Sequence, residues 1–386
     1  MLRLPLLAAL ALSLGSGMGH ACMVHIQDQK PIDKKHQQDL ENDAKRGKEY
    51  SEIVEKELKL SKDQAAIDRV HRIGAELSKI CNENLLAVTW GDKRLNPFTY
   101  TFKVVEGDDV NAFSLPGGYI YIYEGLLKFA ESDDELAGVI GHEIAHAAFR
   151  HLAVLEREQS KVSVAQIPLL LATILTGGRI GPEFLQLGSL VGQALGSGWS
   201  VEAELASDYG GLQLLRKSAY NPVGMLTFME RLAKRDRIAE GAIDWGIYRT
   251  HPPGRQRADA LIQRLAEANV PLRRSAVSTS FRVQVKETSE IWFAGRKLFK
   301  FGGNDATVRA NEAAVELNGF LDEVPALFDL KMDGTSVYGR REKLFEIRDD
   351  DLGLNGGSID SARALVLAEL RKAIYQVQFK VWDNRG

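Results

Sequence analysis

SDDELAGVIGHEIAH, residues 132–146, decides how this chain is read. Ser132 followed three residues later by Glu135 is the capping box that opens a helix. Leu136, Val139 and Ile140 then form its buried stripe, and the helix is expected to run to about His151. It carries His142-Glu143-Ile144-Ala145-His146, the pattern H-E-x-x-H. Residues four apart share one helix face, so both imidazoles reach one ion. Zinc suits neutral nitrogen ligands in tetrahedral geometry, and Glu143 stands where it can move a proton to and from a water. Chance alone gives such a pattern in a chain of this length on the order of once per hundred sequences, so the flanks matter. Val139, Ile140, Ala145, Ala147 and Ala148 are apolar or small. They make the motif largely buried, where two histidines and a glutamate are costly unless paired or metal-bound.

Working outward, residues 99–105 alternate like a strand. Asn111 to Gly118 reads as a turn, and Tyr119-Ile-Tyr-Ile-Tyr123 as a second strand of β-branched and aromatic residues. From Leu40 to about Asn82 the apolar spacing is helical. Residues 200–217 and 222–240 also read as helices. The apolar stretches 164–176 and 184–195 are broken by Pro168 and Gly177-Gly178, each piece too short to span a bilayer. They read as core helices, or as a glycine-hinged cover over the site. A catalytic zinc takes three protein ligands, the third here from another helix. Glu202 and Glu204 are the candidates. Asp208, one turn beyond Glu204, could hydrogen-bond the outer nitrogen of a ligating histidine. By themselves Glu204 and Asp208 read as an ordinary solvated helix face.

Taken in order, Asn111–Gly118, Gly125-Leu-Leu127, Glu135–His146, Glu204-x-x-x-Asp208-x-x-Gly211 and His251-Pro-Pro253 resemble the HtpX-type zinc peptidases of metallopeptidase family 48. That family also includes the CAAX prenyl proteases, and the resemblance covers about residues 39–268. It implies that His142, His146 and Glu204 hold one zinc per subunit, with Glu143 as base and Asp208 behind the ligands. It places Asn111, Ala112, Phe113, Pro116, Gly117 and Gly118 on a segment leading into the strand along the substrate cleft. His251 matches a histidine near the metal that contacts the oxyanion or fills the open position, and Arg257 matches a basic residue that follows it. The chain departs from integral-membrane members in having no long spanning helix after its first residues. It departs from some soluble envelope members in lacking a helical-repeat tail. Ser207 stands where many relatives have alanine. His151 reads as a surface residue at the helix end, and His20, His25, His36 and His71 fall outside every motif.

The N-terminus is a separate matter. Met1-Leu2-Arg3 is a positive start, Leu4 to Leu14 is almost wholly apolar, and Gly19 and Ala21 occupy the −3 and −1 places of a cut. Residues 1–21 thus read as a secretory signal peptide, which makes the expected location periplasmic. Cys22 would then be lipidated, anchoring the protein to a membrane, or paired with Cys81, the second of two cysteines. Residues 22–38 are polar and read as a linker. A net charge of −3 offers no basic face for nucleic acid.

Beyond Arg274 the character changes. Residues 280–386 contain an internal echo: Gly295-Arg-Lys-Leu-Phe-Lys-Phe301 resembles Arg341-Glu-Lys-Leu-Phe-Glu-Ile347. Strand-like stretches at 281–293 and 328–338 precede the two copies, and helical ones at 305–322 and 358–378 follow them. The expected fold is α+β and mainly helical. A zincin-like domain at 39–268, with a small sheet, precedes a small α+β module of two hairpin-helix units that would bind an envelope partner. The site would lie between the HExxH helix and the strand Tyr119–Tyr123. The expected activity is hydrolysis of unfolded or misassembled envelope polypeptides; the alternative is a silent chaperone or assembly factor.

Overall fold

A computed structural model describes residues 32–158, 199–238 and 255–378. The signal and Cys22, the 164–198 stretch and His251 lie outside the described residues.

Tyr119-Ile-Tyr-Ile-Tyr123 forms β3, and its period of two divides the first half of the molecule. Ile120 and Ile122 face one core with Phe102, Val104, Leu136, Ile140 and Ile144. Tyr121 and Tyr123 face a second core with Tyr50, Val54, Phe113 and Leu115. The sheet is β1 (Thr101–Val105), β3 and β2 (Ala112–Leu115) in that spatial order, β1 parallel and β2 antiparallel to β3. β3 is therefore the central strand, with both edges paired. β1 and β2 are the edge strands, and of the two it is β2 that runs next to the HExxH helix.

The helical stretch expected over 40–82 is two helices, α1 (Lys34–Glu57) and α2 (Gln64–Glu83). Asp33 and Asp63 cap them, and Leu60 between them bridges to Val105. Residues 34–38, expected in a linker, are the first turns of α1. α2 buries Val70, Ile73 and Leu77 with the sheet and the motif helix. α1 covers the other face and holds the turn before β3: Gly117 has φ 73, and a β-carbon on it would lie 2.6 Å from Ala44 Cα.

The short α3 (Glu124–Phe129) leads to α4 (Asp133–Ala148), the motif helix. Ser132 accepts from the Glu135 amide at 3.2 Å, whereas the Glu135 carboxylate reaches the Glu131 amide at 2.8 Å, one residue earlier than a capping box. α4 stops at Ala148, three residues short of its expected end, and α5 (His151–Glu158) starts after Arg150 turns left-handed at φ 52. α6 (Trp199–Leu215) and α7 (Val223–Ile238) pack on α4 through glycines. A β-carbon on Gly138 would lie 2.7 Å from Met225 Cα, and one on Gly211 3.0 Å from the His142 nitrogen. α8 (Arg255–Glu267) lies against α6 and α7.

After α9 (Arg274–Val277) the two echoed segments each form a three-stranded antiparallel meander followed by helix. β4 (Gln284–Lys286), β5 (Glu290–Phe293) and β6 (Arg296–Lys300) precede α10 (Ala306–Asp322). β7 (Leu330–Asp333), β8 (Ser336–Gly339) and β9 (Glu342–Glu346) precede α11 (Asp349–Leu352) and α12 (Ile359–Gln378). The pairing slips at Ile291/Trp292 in one copy and at Val337/Tyr338 in the other. The copies lock reciprocally. Arg309 donates to the Glu346 carbonyl at 2.8 Å, and Asn355 bonds both backbone groups of Lys300. Phe299, Phe301 and Phe345 join their core. The molecule is mainly helical with small sheets, and no described helix is long and apolar enough to cross a membrane.

Candidate metal centre

His142 and His146 project from successive turns of α4, and α6 delivers Glu204 to them because the two helices meet at glycine. The Nε2 atoms of His142 and His146 are 3.0 Å apart. The Glu204 carboxylate oxygens lie 3.3 Å from each. One ligand atom from each of the three residues fits within 4.8 Å. His142 and Glu204 are buried and His146 nearly so.

The outer nitrogens are also engaged. His142 Nδ1 lies 2.9 Å from Asp208 Oδ1, and His146 Nδ1 lies 2.9 Å from His151 Nδ1. Arg257 grips Asp208 with two bonds of 2.8 Å and places Nη1 2.9 Å from Glu204. Burial alone would raise the Asp208 carboxyl, but the Arg257 guanidinium outweighs it and holds it at about 2. Burial pulls the His142 ring down, yet the Asp208 and Glu204 carboxylates raise it on balance. This point therefore attracts positive charge.

The donor set fits zinc. With a proton on each Nδ1, both Nε2 lone pairs and a carboxylate face one spot with no hydrogen to share. Two nitrogens and one carboxylate are the ligands of an open catalytic zinc site. Glu143, next to His142 on α4, is fully buried. Asp208, which sequence alone places on a solvated face, is buried beneath His142.

His151 is the residue that sequence misplaced. It is 4% exposed, not a surface residue. Its Nε2 lies 3.1 Å from the Trp90 carbonyl, and Ser207 Oγ lies 3.3 Å from its Nδ1. Burial pushes its ring well below the ordinary histidine range. On one continuous helix a residue five beyond His146 would sit roughly 140° round the axis; the left-handed Arg150 swings it back.

The structure places the remaining expected residues as follows. Asn111, Ala112 and Phe113 are buried at the start of β2 beside α4. Gly117 and Gly118, expected at the substrate surface with Pro116, are buried instead, packed against α1 and against Phe98 and Tyr100. Cys81 is a buried free thiol 3.7 Å from the Tyr100 hydroxyl.

Residues 76–265, which hold all these metal-facing groups, match peptidase family M48. The match is to the family as a whole and does not single out an HtpX-type branch. Metalloprotease LoiP of Escherichia coli (strain K12) is 30% identical over 173 residues, 45% of this chain and 65% of LoiP. The beta-barrel assembly-enhancing protease of the same organism is 30% identical over 165 residues, 42% of this chain and 34% of that protein. The mitochondrial metalloendopeptidase OMA1 of Arabidopsis thaliana is 35% identical over 176 residues, 46% and 33% of the two chains. The chain thus spans just under two thirds of one relative and about a third of the others.

Proposed function

We propose that residues 76–265, which match peptidase family M48, form a domain of that family and that this chain is a zinc-dependent endopeptidase. The observation that carries this is the buried meeting of two imidazole Nε2 atoms and the Glu204 carboxylate, each supported from behind. His142, His146 and Glu204 would hold the ion, which when bound supplies Lewis acidity to the water and the scissile carbonyl. Glu143 takes the proton of the attacking water and returns it to the leaving amine. Asp208 fixes the ring of His142, and Arg257 keeps Asp208 ionised and holds Glu204 in place. By the family resemblance, His251 would contact the developing oxyanion or fill the open position in a resting form.

An extended polypeptide would pair with the free edge of β2, from Asn111 to Leu115, its backbone supplying affinity with little demand on sequence. The substrates are unfolded or misassembled envelope proteins. The apolar N-terminus and the similarity to a beta-barrel assembly-enhancing protease support that class. The protein would be exported to the periplasm, anchored if Cys22 is lipidated, with residues 280–386 engaging an envelope partner. Retention of Glu143 favours an enzyme over a silent chaperone, which has no need of a proton-transfer group.

The test compares wild type with Glu143→Gln for zinc content and casein cleavage. Both should hold one zinc, and the variant should cleave at least about 10²-fold more slowly. Equal rates at equal zinc would defeat the proposal.

A further inference from the structure

The strongest feature left over is the connection between α4 and α5. Phe149, Arg150 and His151 are all buried there, and the backbone at Arg150 adopts φ 52. A bulky residue in the left-handed region needs surroundings that hold it. Arg150 has them. Its guanidinium bonds Asp43 of α1 at 2.5 Å and Asp92 at 2.9 Å. The segment 90–96 clasps the same corner from outside: the Asp92 amide donates to the Phe149 carbonyl at 2.8 Å, and Asn96 donates to the Ala148 carbonyl at 2.8 Å. Gly91, at φ 113, permits the approach, since a β-carbon there would lie 2.8 Å from the Phe149 carbonyl and 2.9 Å from the His151 ring.

All of this fixes one ring. We propose that His151 is a positioning residue that sets the tautomer and ring angle of His146. The Trp90 carbonyl can only accept, so His151 must donate to it from Nε2–H. Two ring nitrogens 2.9 Å apart share a single hydrogen, and His146 must carry it on Nδ1 to keep its Nε2 lone pair for the ion, which leaves a lone pair on His151 Nδ1. That lone pair accepts from His146 Nδ1–H at 2.9 Å. His146 then carries its own lone pair on Nε2, the atom facing His142 and Glu204. Ser207 Oγ, at 3.3 Å, is the longer contact to the same lone pair. The two ligating histidines are thus oriented by different chemistry, His142 by a carboxylate and His146 by a second neutral imidazole. The inference rests on the metal site proposed above.

Zinc affinity, read by chelator competition, tests it through two variants. In His151→Phe the ring volume stays but the acceptor goes, and zinc should bind roughly 10–100-fold more weakly. In His151→Asn the side-chain oxygen can occupy the place of Nδ1 and accept the same proton, so affinity should return to within roughly threefold of wild type. Unchanged affinity in His151→Phe, or equal weakening in both variants, would overturn the proposal. Selective ¹⁵N-histidine NMR of the zinc-loaded wild type needs no variant to fold. It should find the proton of His151 on Nε2 and that of His146 on Nδ1; a His151 proton on Nδ1 overturns the relay. A wild type that takes up no zinc would instead defeat the proposed function. The tautomer of His151, read on the same protein, would still decide this inference.

Discussion

Replacing Gly47 by alanine should destabilise the protein, although the same change in most helix interiors does the opposite. Gly47 lies in the middle of α1, where alanine is favoured over glycine by about 1 kcal/mol. Against that, a β-carbon on Gly47 would lie 1.9 Å from the Pro116 carbonyl oxygen and 2.9 Å from its carbon. The obstacle is backbone on both sides, so no side-chain rotation relieves it. Overpacking a well-filled site costs about 1–3 kcal/mol, and a backbone clash this short belongs at the upper end. The net loss should be about 2 kcal/mol. Gly319 provides the control. It lies within α10, is exposed, and has nothing within 4 Å of the added carbon. Gly319→Ala should therefore gain about 0.5–1 kcal/mol. Urea unfolding of both variants beside wild type measures the two shifts. If Gly47→Ala were as stable as Gly319→Ala, α1 would not grip the turn before β3.

Arg150→Met leaves the buried Asp43 and the half-buried Asp92 without their shared guanidinium, and should cost about 3 kcal/mol, the range for breaking a buried ion pair. The pH dependence should change as well. Burial would raise the Asp92 carboxyl, but bonds from Arg94 and Arg150 hold it far below the carboxylate range. A depressed folded value means its stabilisation is complete above the unfolded value of about 3.9 and is lost as pH falls below it. Unfolding followed from pH 5 to pH 2.5 should therefore fall less steeply in Arg150→Met than in wild type. Asp208→Ala removes the acceptor of His142 Nδ1 and should weaken zinc binding roughly 10–100-fold by chelator competition; an unchanged affinity would mean that Asp208 does not orient the ring.

Local signals made much of the fold legible. The Ser132 cap, the alternation of Tyr119–Tyr123 and the doubled Lys-Leu-Phe segments each declare an element within a few residues. The donors His142 and His146 were legible for the same reason, since helical spacing alone sets them together. Order across the sheet was not: nothing in Tyr119–Tyr123 says that Ala112–Leu115 pairs outside it and takes an edge of the sheet. His151 was hidden by its own spacing. Five residues after a ligand places a side chain across the helix, and only the left-handed turn at Arg150 reverses that. The turn in turn depends on Asp43 and Asp92, 107 and 58 residues away in sequence.

The charged cluster inside the core has its own balance. Among the described residues, Glu204 and Asp208 bring two negative charges to the site and Arg257 one positive. Counted over these three side chains, the net charge is one negative in a place largely closed to water. Such a surplus is costly to bury unless matched. A cation between His142, His146 and Glu204 would offset it. Arg257 can offset only one carboxylate, because its guanidinium is already shared between Asp208 and Glu204. Behind His146 stands the imidazole of His151 rather than a second carboxylate such as Asp208 behind His142, so that side adds no further negative charge to the cluster.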